Sequence, residues 1–249
     1  MIDSQPLESL RAAAQHELEA SNFQEALLLL EQCFEQVPED PRSYELLGLA
    51  TYATGHYGCS VNSLERASSQ VPLRSVAQVC LAHGYAKIGR TQLSHDLLIE
   101  LGKNLTLSNS LLLQIATGLD QINQSEEAIQ LCRVIARRDS NCAQAFYDQG
   151  FYLGRLGKSV DRIVPLVRRA IALAPDVICY RVGLAGLFCI NRRYEEAYEL
   201  ISELSNQQIE SIECLSCMEK MTRIYERRQD FRRTVIARQR MLQLEKLSV

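Results

Sequence analysis

Apolar side chains recur along this chain at spacings of three and four residues, within segments about 12 to 14 residues long. This spacing places them on one face of an amphipathic helix. The segments come in pairs joined by short polar turns, such as 54–56 and 122–124, where glycine or asparagine suits the left-handed conformation that follows a helix end. Small residues such as Gly48 and Gly150 recur where paired helices must approach closely. The pattern predicts an all-α chain of helical hairpins.

The hairpins return about every 34 residues. One clear copy occupies 44–57, with aromatic residues and a Leu-Gly pair, and Ser60, Leu64, Ala67 and Pro72 continue it. Equivalent residues occur one period earlier and at successive periods later. This pattern resembles the tetratricopeptide repeat family, and the resemblance implies a right-handed α-solenoid of about seven helix hairpins. It predicts a single domain, 1–249, with repeats at approximately 7–40, 41–74, 75–108, 109–142, 143–177, 178–211 and 215–248.

Two places depart from the regular period. The fifth copy slips by one residue before Val167, and Pro165 lies inside its second predicted helix. Proline within a helix removes a backbone hydrogen bond and clashes with the preceding turn. We therefore expect a longer turn, a delayed helix start or a kink within 159–164. Three further residues precede the last copy, which predicts a lengthened junction there.

The family resemblance also implies a binding surface. In tetratricopeptide proteins the first helices of successive copies line a concave groove, which usually binds a segment of another protein. The matching positions here are Arg42, Glu45, Leu49, Tyr52, Val79, His83, Lys87, Leu113, Thr117, Asp120, Gln144, Tyr147, Phe151 and Arg155. Tyr52, Tyr147 and Phe151 are the expected anchors, because aromatic side chains supply a large contact area at little entropic cost. The alternative is that Tyr147 or Phe151 fills the seam between adjacent copies.

The composition is that of a folded protein without signs of catalysis. Apolar residues make up 47% and charged residues 23% of the 249 residues, both ordinary for a globular chain. The formal net charge of −3 gives no reason to expect nucleic acid as the main partner. The glycines are isolated, so no phosphate-binding loop is evident, and no histidine is coupled to a nucleophile. The sequence predicts a protein that is not an enzyme and that uses no cofactor or metal.

Cysteine usage predicts a reducing compartment. Nine cysteines are present, and most lie in apolar runs, where a reduced thiol behaves as a small hydrophobe. Cys214 and Cys217 form a Cys-x-x-Cys pair, but no second Cys or His pair lies near enough in sequence to complete four zinc ligands. We interpret both as thiols packed at the junction between the sixth and seventh copies.

The N-terminal sequence predicts a cytoplasmic protein without a membrane segment. It contains acidic residues and no apolar stretch of signal-peptide length. The longest aliphatic run, 26–30, is far shorter than the roughly 20 residues that span a bilayer.

Charge is distributed unevenly between the two ends. Residues 1–45 contain ten acidic and two basic residues, whereas 223–246 contain eight basic and three acidic residues. Opposite charges could produce a head-to-tail homo-oligomer, or both segments could be solvated outer faces. The favoured hypothesis is a scaffold or adaptor that binds a peptide segment or partner protein in the groove. A self-assembling or complex-building scaffold is the first alternative, and an RNA-binding helical-repeat protein that uses the basic C-terminal helices is the second.

Overall fold

The computed structural model describes residues 6–247, and within that range the chain forms fifteen α-helices and no strand. The all-α prediction is confirmed. The chain divides into two compact units, Met1–Leu131 and Cys132–Val249, called unit 1 and unit 2 below. The division falls within one helix, and the prediction of a single solenoid domain stays a prediction.

Unit 1 is built from helical hairpins. Its helices are α1 (Leu7–Glu19), α2 (Phe23–Gln36), α3 (Pro41–Ala53), α4 (Tyr57–Ser68), α5 (Ser75–Lys87), α6 (Thr91–Lys103), α7 (Asn109–Gln121) and the first part of α8 (Ser125–Arg138). Helix α1 packs on α2, α3 on α4 and α5 on α6, and α3 and α5 each also pack on the next first helix. Apolar side chains such as Leu30, Leu64 and Leu98 are fully buried between them.

The turns inside these hairpins share one backbone feature. The second residue after each first helix has a positive φ, and in unit 1 these residues are Ser21, Gly55, Gly89 and Asn123. Glycine and asparagine tolerate this conformation best, which is why the turn signal was visible in the sequence at three of the four hairpins. Ser21 adopts the same conformation without that signal.

Close approach of paired helices explains the recurrent small residues. A Cβ atom on Gly48 would overlap the side chain of Leu64 on the facing helix. The Ser60 hydroxyl donates a hydrogen bond of 2.7 Å to the Gly48 carbonyl at the same contact. In unit 2, a Cβ on Gly150 would lie 2.7 Å from a methyl group of Val167. The packing role inferred for these glycines is confirmed.

Unit 2 begins with the end of α8 and continues through seven more helices. These are α9 (Ala143–Arg155), α10 (Val160–Leu173), α11 (Ile178–Ile190), α12 (Tyr194–Glu199), α13 (Asn206–Glu210), α14 (Leu215–Arg227) and α15 (Phe231–Leu247). Helix α9 packs on α10, α11 on α14, and α14 on α15. Met221, Tyr225 and Phe188 form part of its core.

The slip near Pro165 is a longer turn. Four residues separate α9 from α10, whereas three separate the paired helices of each hairpin in unit 1. Helix α10 then continues from Val160 through Pro165 to Leu173. Proline removes its own hydrogen bond without ending the helix, and the extra residue of the period lies in the turn, one of the outcomes expected from the sequence.

The sixth hairpin lacks the continuous second helix that its apolar spacing predicts, so that prediction is wrong. Helix α12 ends at Glu199, and α13 starts anew after Ser205, whose side chain forms a capping box with Gln208. Two carbonyl groups in the intervening loop find other donors. The Tyr225 hydroxyl donates to Ile201 O at 2.9 Å, and Arg233 Nε donates to Leu204 O at 3.3 Å. These bonds compensate for the interrupted helix.

Candidate functional site

Among the predicted groove residues of unit 1, Glu45 is a buried carboxylate that pairs with two partly exposed arginines. The Glu45 side chain is 0% exposed. Its Oε1 accepts from the backbone N and from Nε of Arg74, each at 2.9 Å, and its Oε2 accepts from Arg42 Nη1 at 2.7 Å. Burial disfavours the charged carboxylate, but the hydrogen bonds from Arg74 and Arg42 outweigh it and lower the pKa of Glu45. This carboxylate ties α3 to the N-terminus of α5.

Three other predicted groove residues of unit 1 are also buried within the protein. Val79 and His83 on α5 are buried. His83 Nε2 lies 3.0 Å from the Gln114 carbonyl oxygen on α7, and burial lowers the pKa of His83. Asp120 is buried and accepts a hydrogen bond of 2.5 Å from Ser125 Oγ. The His83 contact joins neighbouring hairpins, whereas the Asp120 contact joins the two helices of one hairpin.

The remaining predicted positions of unit 1 are more accessible. Tyr52 is half-buried, and its ring meets Tyr57 and His83 edge-on at centroid distances of 5.5 and 6.4 Å. Burial raises the pKa of Tyr52 to about 12. Leu49 and Leu113 are half-buried, and Lys87 and Thr117 are exposed.

In unit 2, Tyr147 occupies both a seam and a surface. Its ring stacks on Tyr180 of α11 at a centroid distance of 4.6 Å. The Tyr180 hydroxyl donates to Gln144 Oε1 at 2.7 Å. A Cβ on Gly183 would overlap the Tyr147 hydroxyl, so glycine is required there for this packing. The seam alternative therefore holds for part of the Tyr147 side chain, although Tyr147 also lines the cavity described next.

A cavity of about 1140 Å³ opens in unit 2 between α9, α10, α11 and α14. Two large apolar side chains on its lining are exposed, Phe151 at 49% and Ile190 at 82%. Ile163 and Leu187 extend the apolar lining. We call this cavity the unit 2 groove.

Positive charge surrounds this apolar lining. The exposed cations Lys158, Lys220, Arg223 and Arg227 contribute to the groove. The guanidinium of Arg227 lies 3.6 Å from the centroid of the Tyr194 ring, which fixes its position. Glu226 also lines the groove, but it pairs with Arg238 at 2.6 Å. The groove therefore presents apolar surface beside an excess of positive charge.

Three of the four residues predicted for the fifth copy lie on the unit 2 groove. Tyr147, Phe151 and Arg155 line it, whereas Gln144 lies outside the lining. The predicted groove residues belong only to the second to fifth copies, so they do not include the lining residues of α11 and α14. The first residues of α9, α11 and α14 are 143, 178 and 215. Arg155, Ile190 and Arg227 are each the thirteenth residue of their helix. Phe151, Gly186 and Arg223 are each the ninth. Continuing the same transfer would have found Ile190, Arg223 and Arg227.

Within residues 6–247, no three or more His, Cys, Asp or Glu side chains are grouped so that they could hold a metal ion. No helix in that range combines the length and apolar character needed to cross a membrane.

Comparison with known proteins identifies the fold. The chain matches no family model and no curated protein. Among solved structures, the C-terminal part of a TPR repeat-containing protein from Cytophaga hutchinsonii superposes with a TM-score of 0.63 at 15% identity, over 95% of each chain. YrrB, described as a TPR protein with an unusual peptide-binding site, superposes with a TM-score of 0.56 at 16% identity, over 69% of this chain and 88% of the YrrB chain. A MamA structure (AMB-1) superposes with a TM-score of 0.53 at 21% identity, over 66% of this chain and 96% of the MamA chain.

These likenesses define an all-α helical-repeat protein. More specifically, the chain has the tetratricopeptide repeat fold, and the resemblance drawn from its sequence is confirmed.

Proposed function

We propose that this protein is an interaction module that binds a protein segment in the unit 2 groove, and that the segment carries apolar anchor residues flanked by acidic residues. The observation that carries the proposal is the exposure of Phe151 and Ile190 over a large cavity beside Lys220, Arg223 and Arg227. Large apolar side chains exposed together on a cavity are typical of binding sites.

Apolar burial supplies the affinity in this proposal. Each Å² of apolar surface removed from water contributes about 25 cal/mol before the costs of association. A cavity of about 1140 Å³ exceeds the usual range for a single small ligand. Its size therefore favours several side chains of an extended or helical segment.

Charge supplies orientation and association rate. Within residues 6–247, Lys158, Lys220 and Arg223 have no carboxylate at salt-bridge distance. Acidic residues on a partner would supply the missing counter-charges and would be steered toward the groove. This binding should weaken as ionic strength rises.

The structural neighbours support the general role. YrrB is described as having a peptide-binding site, so the same fold is able to hold a peptide.

Internal pairing of charges favours groove binding over the two alternatives. In the basic C-terminal helices, Arg228 pairs with Glu195 and Arg238 pairs with Glu226. At the acidic end, Arg11 pairs with Asp40 at 3.3 Å. These charges have partners within their own units, which reduces the attraction they offer to RNA or to a second copy. Head-to-tail assembly and RNA binding stay predictions.

A selection with a matched set of variants tests the proposal. A library of random peptides is selected on the immobilised full chain, and selected peptides are titrated by fluorescence anisotropy. We expect apolar peptides rich in Asp and Glu. Phe151→Ala should weaken their binding at least about tenfold, because a half-exposed aromatic anchor is removed. Arg223→Glu should weaken it by a similar factor through charge reversal.

The controls are chosen for equal exposure. Leu93 in unit 1 is also 49% exposed, and Arg137 is an exposed arginine outside the groove lining. Leu93→Ala and Arg137→Glu should change the affinity less than about twofold. Equal weakening by control and groove variants, or selection of basic peptides, would overturn the proposal.

A further inference from the structure

Helix α2 of unit 1 presents an acidic surface with an apolar side chain at its centre. Leu28 on this helix is 53% exposed. Glu25 and Glu31 lie three residues before and after Leu28, and Glu35 lies two helical turns after it, so all three glutamates share its helix face. Each of these glutamates is exposed. We call these four residues the α2 face.

The negative charge of the α2 face is uncompensated. Within residues 6–247, none of its three glutamates has a cation at salt-bridge distance. By contrast, Glu39, which follows the same helix, pairs with Arg66 on α4. Among the exposed large apolar side chains of the described range, Leu28 is the one that lies among three such carboxylates on its own helix. The α2 face therefore offers both apolar surface and free negative charge to a partner.

The unit 2 groove is complementary to this face. Its exposed apolar side chains are Phe151 and Ile190. Lys158, Lys220 and Arg223 on the groove have no carboxylate at salt-bridge distance among the described residues. Apolar surface thus lies among free charges on both surfaces, and the charges are of opposite sign. Complementarity of this kind steers association and fixes the register of a contact.

We propose that the unit 2 groove binds the α2 face of a second copy of this chain. The inference rests on the proposed function, because it names a partner for the same groove. Leu28 of one copy lies against Phe151 and Ile190 of the other, and the glutamates around Leu28 face the groove cations. The contact does not use Arg228 and Arg238, which are paired within unit 2. It joins two different surfaces, so further copies add head to tail.

The first measurement is the mass of the full chain by sedimentation velocity as a function of concentration. At low ionic strength the average mass should rise with concentration, because each copy offers both surfaces. Salt at about 1 M, where the Debye length is about 3 Å, should weaken the association at least about tenfold. A monomer at every concentration, or an association unaffected by salt, would overturn the proposal.

Single substitutions test the two surfaces separately. Glu31→Lys on the α2 face and Phe151→Ala in the groove should each weaken self-association at least about tenfold, since the first reverses a charge and the second removes an aromatic anchor. Glu210→Lys and Leu93→Ala are matched controls, because they change an exposed glutamate and an exposed leucine outside both surfaces. The controls should change the association less than about twofold. Equal weakening by control and test variants would contradict the assigned surfaces.

Mixing the two test variants examines whether the surfaces bind each other. Glu31→Lys keeps an intact groove, and Phe151→Ala keeps an intact α2 face. At a concentration where neither variant self-associates, an equimolar mixture should therefore form a heterodimer. A mixture that stays monomeric would overturn the proposal, because the intact surfaces would then not recognise each other.

The peptides selected on the groove separate a failure of this inference from a failure of the proposed function. If the chain stays monomeric while Phe151→Ala still weakens peptide binding, only the second copy is wrong as the partner. If peptide binding is independent of Phe151, the groove itself is wrong as a binding site, and the α2 face loses its proposed complement as well.

Discussion

Units 1 and 2 use corresponding helix positions for different purposes. In unit 1, His83 is the ninth residue of α5; it is buried, and its Nε2 lies 3.0 Å from the Gln114 carbonyl oxygen. In unit 2, the ninth residues of α9 and α14 are Phe151 and Arg223, and both are exposed on the unit 2 groove. The repeat provides the same backbone position in both cases. The side chain and its neighbours decide whether that position holds hairpins together or remains available to a partner.

The contrast also has a local structural cause. In unit 1, Arg74 immediately precedes α5 and reaches back to Glu45 on α3 with two hydrogen bonds. In unit 2, the side chains of Tyr147 and Lys220 pack against Gly183 and Gly186 of α11, and both glycines line the groove. A buried carboxylate joins the helices in the first case, whereas the helices of the second case border an open groove.

The largest expected effect is on the stability of unit 1. Glu45→Ala should lower the free energy of unfolding by about 2–3 kcal/mol, because it breaks a buried ion pair, although Arg42 and Arg74 are partly hydrated. Urea unfolding followed by circular dichroism measures the change. The control is Glu100→Ala, which removes an exposed pair with Lys103 and should cost less than about 0.5 kcal/mol. Equal costs would remove the distinction between a structural and a surface carboxylate.

A smaller loss of stability is expected when the hydrogen bond between Tyr225 and Ile201 in unit 2 is removed. Tyr225 is fully buried, and its hydroxyl is bonded to Ile201 O. Tyr225→Phe should cost about 1–2 kcal/mol in the same unfolding experiment, because the loop carbonyl loses its donor while the ring remains. Amide hydrogen exchange should accelerate around 200–205. Unchanged exchange there would show that the bond does not hold the interrupted hairpin.

The contribution of the Glu45 carboxylate to the free energy of unfolding should depend on pH. The folded-state pKa of Glu45 lies below its ordinary value of 4.5. Its contribution is therefore fully present above pH 4.5 and is lost as the pH falls through the lower folded value. The stability difference between the wild type and Glu45→Gln should shrink over this acidic range. A difference that grows on acidification would contradict the assigned charge state.

The smallest effect on stability is expected at the groove. Phe151→Ala should lower the free energy of unfolding by less than about 1 kcal/mol, because half of this side chain is already in water. The same substitution should strongly weaken peptide binding. Thermal unfolding of the variant, compared with Leu93→Ala at equal exposure, separates the two roles. A loss similar to that of a core substitution would make Phe151 a packing residue.

The sequence predicted the repeated hairpins because their rules are local. Gly55, Gly89 and Asn123 mark turns through their tolerance of positive φ, and Gly48 marks a close helix contact. Arg192 and Gln229 adopt the same turn conformation without a residue-type signal.

Long-range contacts account for what the sequence did not predict. The apolar spacing through Ile201 and Leu204 suggests one helix, but a capping box at Ser205 and hydrogen bonds from α14 and α15 stabilise a break. The groove position of Glu45 was assigned by register alone, whereas its burial depends on Arg74.

The groove assignment is tested by a hydrogen–deuterium exchange footprint of a selected acidic, apolar peptide on the full chain. We expect slower exchange in α9, α11 and α14 of unit 2, little change in α3 and α5 of unit 1, and loss of the footprint in Phe151→Ala. Protection confined to α3 and α5, or a footprint unchanged in Phe151→Ala, would contradict the assignment of the unit 2 groove as the binding site.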